Sequence, residues 1–268
     1  MLKTALYFII FTFLFLIYIR LLERKIIFYP SKIIEFKPSE VGLAYEDVFL
    51  KAQDGIELHG WFVPAPNPYV TVLYFHGNAG NISHPVEIAK MFNEKKMNFF
   101  IIDYRGFGRS KGSPNEKGTY LDGLAAYNYL VNVKGILPEK IVLYGKSLGA
   151  AVAIDVATKV KAGAFICESG FTSTQDMARG IYKFLPLWLF VGQKYDSLGK
   201  IEQVNIPTLI IHSQNDEIIP FSHGKRLFEK AREPKELYVM RGGHNDAFYI
   251  HSAECMQRID NFLRKYIK

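Results

Sequence analysis

A serine flanked by glycines is the position in this chain best suited to chemistry. Residues 145–149 read Gly-Lys-Ser-Leu-Gly, a Gly-x-Ser-x-Gly pattern. In that pattern the serine occupies a sharp turn between a strand and a helix, which lifts its hydroxyl above the sheet. Side chains at the two glycine positions would collide within so tight a turn. A five-residue match also occurs in incidental turns, but here an apolar run precedes it and an Ala-rich run follows, so we predict that Ser147 is a nucleophile.

A serine hydroxyl needs a base to remove its proton, and histidine is the usual base at neutral pH. His244 follows the last predicted strand on a Gly-Gly turn, in Arg-Gly-Gly-His-Asn-Asp. Loops beyond strand ends are where parallel sheets place catalytic groups, so we predict that His244 is the base. Structural or helical positions are predicted for the other histidines: His59, His76, His84, His212, His223 and His251.

A carboxylate must hold the base in one tautomer and stabilise its imidazolium. Asp216 lies on another strand-end loop, in His-Ser-Gln-Asn-Asp. Glu217 is an adjacent competitor, and Asp246 is a second one that fits a helix cap better. We predict that Asp216 is the acid.

The oxyanion formed during acyl transfer needs preorganised N–H donors. The backbone N–H of Leu148, which follows the serine, is one predicted donor. The other is expected from the loop at residues 76–81, His-Gly-Asn-Ala-Gly-Asn, where the glycines allow the backbone to approach a substrate. Asn78 or Ala79 is the predicted donor there, and His76 is predicted to brace the loop.

Two other features are predicted to be structural. The loop at residues 103–112 is rich in glycine, but it lacks the Gly-x-Gly-x-x-Gly spacing of a dinucleotide site. We expect Arg105 to be a structural hydrogen-bond donor in it. Cys167 and Cys255 are too few for a zinc site, and Cys167 ends an apolar run that predicts a buried, inert thiol.

The elements that must position these residues alternate along the chain. A hairpin is predicted over 45–51 and 56–63, followed by strands and helices in turn. This order indicates an α/β fold with a mostly parallel central sheet, helices on both faces and one antiparallel edge. Residues 171–205 are too long for a simple crossover and are interpreted as a small helical cap. The predicted strands are 69–75, 98–102, 141–144, 163–167, 207–211 and 236–240, and the predicted helices are 84–95, 117–131, 148–160, 222–231 and 246–267.

The amino terminus predicts a membrane anchor. Residues 4–19 carry no charge, and the run extends to spanning length when Lys3 and Arg20 reach the two interfaces. No small-residue cleavage site follows, so we predict an uncleaved single-pass anchor over 1–25, with the lipid bilayer as its partner. Residues 26–44 are then a juxtamembrane linker. The basic residues after the span place the catalytic domain on the cytoplasmic side.

The net charge of +7 does not indicate nucleic-acid binding, because the basic residues are scattered among acidic ones. Attraction to anionic lipid headgroups accounts better for the excess of positive charge.

From residue 45 to 268 the chain resembles the α/β-hydrolase superfamily, and specifically its membrane-anchored serine hydrolase branch with a small cap. The ordered motifs HGNAG, DYRGFGRSKG, GKSLGA, ESGFTS, HSQNDEIIP and GGHND carry the resemblance. The resemblance implies a sheet of about eight strands, the order Ser, Asp, His, and acyl-enzyme chemistry without a metal or cofactor. One departure is Ser213, where the family usually has glycine.

The predicted reaction is hydrolysis of a carboxylic ester or thioester of a lipid-like acyl group. The anchor and an apolar stretch of the cap favour such a substrate, although that stretch could equally be a helix end packed on the core. A membrane-anchored serine peptidase is the alternative enzyme, and a non-catalytic membrane scaffold is the competing class. The residues predicted to bind the acyl chain are Phe184, Leu187, Trp188 and Phe190.

Overall fold

A computed structural model describes residues 7, 10, 11, 14, 15, 18, 22–182, 184 and 186–267. Strands β1 to β10 are Tyr29–Pro30, Glu46–Lys51, Glu57–Val63, Val70–Phe75, Ala79–Gly80, Met97–Ile102, Ile141–Lys146, Ala164–Glu168, Thr208–Ser213 and Lys235–Met240. Helices α1 to α8 are Val86–Glu94, Glu116–Asn132, Leu148–Ala157, Thr174–Ile181, Ser197–Ile201, Phe221–Lys230, Ala247–Ile250 and Ser252–Tyr266. Short 3-10 helices span Pro38–Val41, Pro138–Lys140 and Pro186–Phe190.

Eight of these strands form one sheet in the order β10-β9-β8-β7-β4-β6-β3-β2. Neighbours from β10 to β6 run parallel, whereas β2 and β3 form an antiparallel hairpin at the edge. The predicted mostly parallel sheet with one antiparallel edge is therefore confirmed, as is the count of about eight strands.

The sheet is buried on both faces because its central strands are predominantly apolar. In β4 all six residues are buried. Leu73 and Phe75 belong to the hydrophobic core on one face, while Val72 and Tyr74 belong to the core on the other. Helix α3 is buried along its whole length, and its small side chains let it pack close beneath the end of β7. The start of α3 is thus fixed against the centre of the sheet.

The last predicted helix, 246–267, is two helices in the structure. His251 lies between α7 and α8 with φ −107° and ψ 21°, outside helical geometry. Both sides of the break are buried: Phe248 on α7, and Ile259 and Phe262 on α8. The chain changes direction there because each side must turn its own apolar residues to the sheet, and the uniform helical spacing of the sequence does not reveal this.

The predicted anchor over 1–25 lies largely outside the described residues. Residues 22–27 are helical. Within the described ranges, none of the helices combines the length and apolarity needed to cross a bilayer.

The segment predicted as a juxtamembrane linker, 26–44, is bound to the rest of the fold. Strand β1 pairs in parallel with β5, and the side chain of Phe28 is buried in the core. Asn81 donates from Nδ2 to the carbonyl of Ile33 over 2.5 Å. The folded unit therefore begins before residue 45.

Candidate active site

Ser147 occupies the turn between β7 and α3 in a strained backbone conformation, with φ 54° and ψ −117°. A residue with a side chain rarely adopts such angles, and such strain persists only where the surroundings impose it. A β-carbon at Gly149 would overlap the backbone of Phe75, and one at Gly145 would overlap the backbone of Ala150. The two glycines are thus required by close backbone packing, as the pattern predicts.

His244 and Asp216 meet at the ends of β10 and β9, although 28 residues separate them. Nδ1 of His244 donates to Oδ2 of Asp216 over 2.7 Å. This bond fixes the tautomer, so Nε2 keeps its lone pair and can accept a proton. The other oxygen of Asp216 accepts the N–H groups of Ile218 and Ile219, at 3.0 and 2.7 Å. Burial tends to raise the pKa of Asp216, but the hydrogen bonds from His244 and Ile219 outweigh it and lower the pKa.

Two residues that the sequence did not single out as supports hold the histidine loop. Oε2 of Glu217 accepts the backbone N–H of His244 over 3.0 Å. The hydroxyl of Ser213 donates to the carbonyl of Gly242 over 2.5 Å. Glu217, the competitor for the acid role, thus binds the backbone of His244. Ser213 joins the end of β9 to the loop after β10.

The predicted oxyanion donors lie beside the nucleophile. Leu148 is the first residue of α3, where backbone N–H groups have no partner within the helix. A β-carbon at Gly77 would stand 3.9 Å from Cβ of Ser147, so the loop passes directly over the serine. The side chain of Asn78 donates to the carbonyl of Ile27 over 2.7 Å, which fixes this residue of the loop against the segment before β1. Ala79, the other predicted donor, is exposed and lies in β5 opposite Tyr29 of β1.

His76 and Arg105 are structural, as predicted. Nδ1 of His76 donates to the carbonyl of Gly77 over 2.8 Å, and Tyr104 donates to the carbonyl of His76 over 3.0 Å. Burial lowers the pKa of His76, which suits a neutral brace. Arg105 makes a buried ion pair with Asp122 at 2.7 Å.

Four other candidates for proton transfer or nucleophilic attack are hydrogen-bonded or inert. Burial raises the pKa of the Cys167 thiol to about 12, so it stays protonated. The side chains of His59, His212 and His223 bond to the Asp47 carboxylate, the Ile219 carbonyl and the Thr172 hydroxyl, respectively.

A cavity of about 830 Å³ opens over the serine, and both Ser147 and His244 border it. Its walls are mostly apolar and come from residues 22–29, the loop at 76–81, the 171–205 segment and the loops after β9 and β10. Lys146 also borders it and is paired with the buried Glu168 at 3.1 Å. Burial disfavours the ammonium, but Glu168 outweighs burial and raises the pKa of Lys146. An apolar group of substantial size fits this space.

The side chains predicted to bind an acyl chain occupy different environments. Phe190 borders the cavity. Phe184 is 97% exposed and lies outside the lining, while Trp188 packs its ring against the guanidinium of Arg179 at 4.1 Å. The side chain of Leu187 lies outside the described part of the structure.

This chain is similar to a known protein family and to solved structures. A family model described as serine aminopeptidase, S33, matches residues 66–195. The Pyrococcus furiosus esterase Pf2001 superposes with a TM-score of 0.74 at 21% identity, over 90% of this chain and 99% of that one. This likeness shows the fold.

Two curated relatives are similar over most of their length. The uncharacterized protein Rv2307c of Mycobacterium tuberculosis is 34% identical over 244 residues, 90% of this chain and 87% of that protein. The alpha/beta hydrolase domain-containing protein WAV2 of Arabidopsis thaliana is 32% identical over 274 residues, 91% of this chain and 88% of that protein. With its eight-stranded sheet and glycine-flanked serine at a strand-to-helix turn, the chain belongs to the α/β-hydrolase family.

Proposed function

We propose that this protein is a serine hydrolase that cleaves ester or thioester bonds of lipid-like acyl substrates through an acyl-enzyme. The observation that carries the proposal is the apolar cavity bordered by both Ser147 and His244, with Asp216 bound to the far nitrogen of the histidine. A reacting carbonyl in that cavity reaches the nucleophile and the base while its acyl chain stays out of water.

In the proposed reaction, Oγ of Ser147 attacks the carbonyl carbon and its proton passes to Nε2 of His244. The negative oxygen of the tetrahedral intermediate accepts the N–H groups of Leu148 and of Asn78 or Ala79. The C–O or C–S bond to the leaving group then breaks, and His244 returns the proton to that group. Water attacks the acyl-enzyme by the same route and releases the acid. Asp216 stabilises the imidazolium in both steps, and its lowered pKa keeps it ionised for this role.

The proposed site of action is the membrane surface. The uncharged run over 4–19 supports an anchor, and the basic residues that follow it support a cytoplasmic catalytic domain. An anchored enzyme with an apolar cavity meets acyl lipids at high local concentration.

Peptide hydrolysis is the second candidate, favoured by the description of the family model that matches residues 66–195. A peptide substrate needs polar groups along its backbone and at its terminus. The predominantly apolar lining of the cavity favours an acyl chain instead.

The test is turnover of p-nitrophenyl esters with chains of two to sixteen carbons, beside acyl thioesters and aminoacyl p-nitroanilides. We expect kcat/KM to rise with chain length and to vanish in Ser147→Ala, whereas a control change at the exposed Ser113, Ser113→Ala, leaves it unchanged. Preference for the anilides would establish the peptidase instead. Absence of turnover on all three classes would support the non-catalytic scaffold.

A further inference from the structure

We propose that residues 22–30 are part of the active site, forming one wall of the acyl cavity and holding the 171–205 segment over it through Glu23. The anchor-proximal segment would then select the length of the acyl chain. This inference deepens the proposed function and rests on it.

The wall is formed directly by side chains of this segment. Leu22, Ile26, Ile27 and Tyr29 border the same cavity as Ser147. All four side chains are predominantly apolar, and apolar side chains of the 171–205 segment line the same cavity. An acyl chain in the cavity therefore contacts both stretches.

The carboxylate of Glu23 holds the 171–205 segment in place, and we call its two hydrogen bonds the clamp. Its Oε1 accepts the backbone N–H groups of Gly192 and Gln193, at 2.7 and 2.8 Å. Hydrogen bonds to a charged acceptor are about twice as strong as neutral ones. Because Phe190 and Val191 come directly before these amides and border the cavity, the bonds to Glu23 determine where those two side chains lie.

A second carboxylate, that of Glu116, binds the next two backbone N–H groups of the 171–205 segment. Glu116 accepts the N–H groups of Lys194 and Tyr195, at 2.6 and 2.8 Å. Four consecutive backbone amides, from Gly192 to Tyr195, are thus held by two acidic side chains. Glu116 begins helix α2, whereas Glu23 belongs to the segment that follows the predicted anchor, so the Glu23 bonds join that segment to residues 192 and 193 beside the cavity.

The other end of the segment is tied to the oxyanion loop. The N–H of Tyr29 donates to the carbonyl of Asn78 over 2.9 Å, and the side chain of Asn78 donates back to Ile27 over 2.7 Å. Phe28 is buried and meets the ring of Tyr195 edge to face, with centroids 6.4 Å apart. One short stretch therefore contacts the predicted oxyanion loop, the cavity and the 171–205 segment.

The test compares the full-length protein with Glu23→Ala, Glu23→Gln and Ile26→Asn in detergent micelles. The matched control is Lys25→Ala, an exposed change on the same helical turn that does not border the cavity. The measurement is kcat/KM for four-carbon and twelve-carbon p-nitrophenyl esters. We expect Glu23→Ala and Ile26→Asn to lower the twelve-to-four-carbon ratio by about tenfold, the size of effect that a few lost apolar contacts produce. Glu23→Gln, which keeps an acceptor oxygen, should retain most of the ratio.

A second readout separates the failure of this inference from that of the proposed function. Hydrogen exchange at residues 188–195 should accelerate in Glu23→Ala and not in Lys25→Ala, whatever the substrate. Equal losses on both esters, an unchanged ratio, or unchanged exchange would overturn the inference. If the wild-type protein hydrolyses neither ester yet exchange accelerates, the clamp stands and the proposed function fails together with the selection of chain length.

Discussion

The site has two parts that are built differently: the Ser147, His244 and Asp216 side chains at the ends of strands, and the wall of the cavity above them. The close packing of β7 and α3 imposes the strained turn at Ser147, and hydrogen bonds hold Asp216 and His244 at the ends of their strands. Much of the wall comes from residues 22–29 and the 171–205 segment, which are far apart in sequence and keep several large apolar side chains exposed, among them Ile26 and Phe190. We therefore expect the proposed chemistry to depend on the sheet and its strand-end loops, and the choice of substrate to depend on the two segments at its edge.

If the strand-end residues carry the chemistry, Ser147→Ala has the largest effect of any single change. We expect turnover to fall by a factor on the order of 10⁶, because the attacking oxygen is removed. Labelling by a fluorophosphonate probe should disappear as well, while circular dichroism stays native. Substantial labelling of this variant would move the nucleophile elsewhere in the chain.

Asp216→Asn should lower kcat by a factor on the order of 10⁴, because an amide no longer holds His244 in the tautomer that accepts a proton. KM should change little, since Asp216 does not border the cavity. The matched control is Asp246→Asn, at the start of α7, where the side chain makes no capping hydrogen bond. A larger loss in the control than in Asp216→Asn would assign the acid to Asp246.

Glu217→Ala should lower kcat by about thirtyfold, since the backbone of His244 loses its acceptor and small displacements of a base are costly. Glu217→Gln keeps an acceptor oxygen and should recover most of the activity. The kcat values of the two variants, measured on one short ester, test whether Glu217 acts as the acceptor for the His244 backbone. If both variants lose activity equally, the charge of Glu217 matters more than its position.

The smallest effect is expected in the wall. Phe190→Ala should reduce kcat/KM for a twelve-carbon ester on the order of fivefold relative to a four-carbon ester, through lost apolar contact. Phe184→Ala is the matched control, because Phe184 is exposed and does not border the cavity. If Phe190→Ala lowered kcat/KM equally for both esters, Phe190 would only pack the fold. The proposed difference between the cavity wall and the strand-end residues would then be wrong.

The strand-end part of the site is largely predictable from sequence, because its signals are local. The glycines two residues before and after Ser147 mark positions where a β-carbon would collide with the backbone. The loops carrying Asp216 and His244 follow recognisable apolar strands. The hydrogen bond between Asp216 and His244 confirms that these loops meet. The supporting role of Glu217 is not evident in the sequence, since a second carboxylate beside Asp216 reads equally well as a rival acid.

The wall could not be predicted, for a physical reason. The run Ile26-Ile27-Phe28 is apolar, and apolarity suits a bilayer interface and a protein interior alike. What distinguishes the two is pairing with residues far along the chain, such as the bonds from Gly192 and Gln193 to Glu23. No periodicity in either segment encodes that pairing. The break at His251 escaped prediction similarly, because the spacing of apolar residues on both sides of it is helical.

The proposal that Ser147 is the nucleophile is tested most directly by identifying the residue that carries the acyl group during turnover. The full-length protein would be mixed with a twelve-carbon p-nitrophenyl ester, quenched in acid within milliseconds, digested and analysed by mass spectrometry. We expect the acyl mass to appear on the peptide containing Ser147 and to grow with the burst of p-nitrophenol. Turnover with no acylated peptide, or acylation of Cys167 instead, would contradict it.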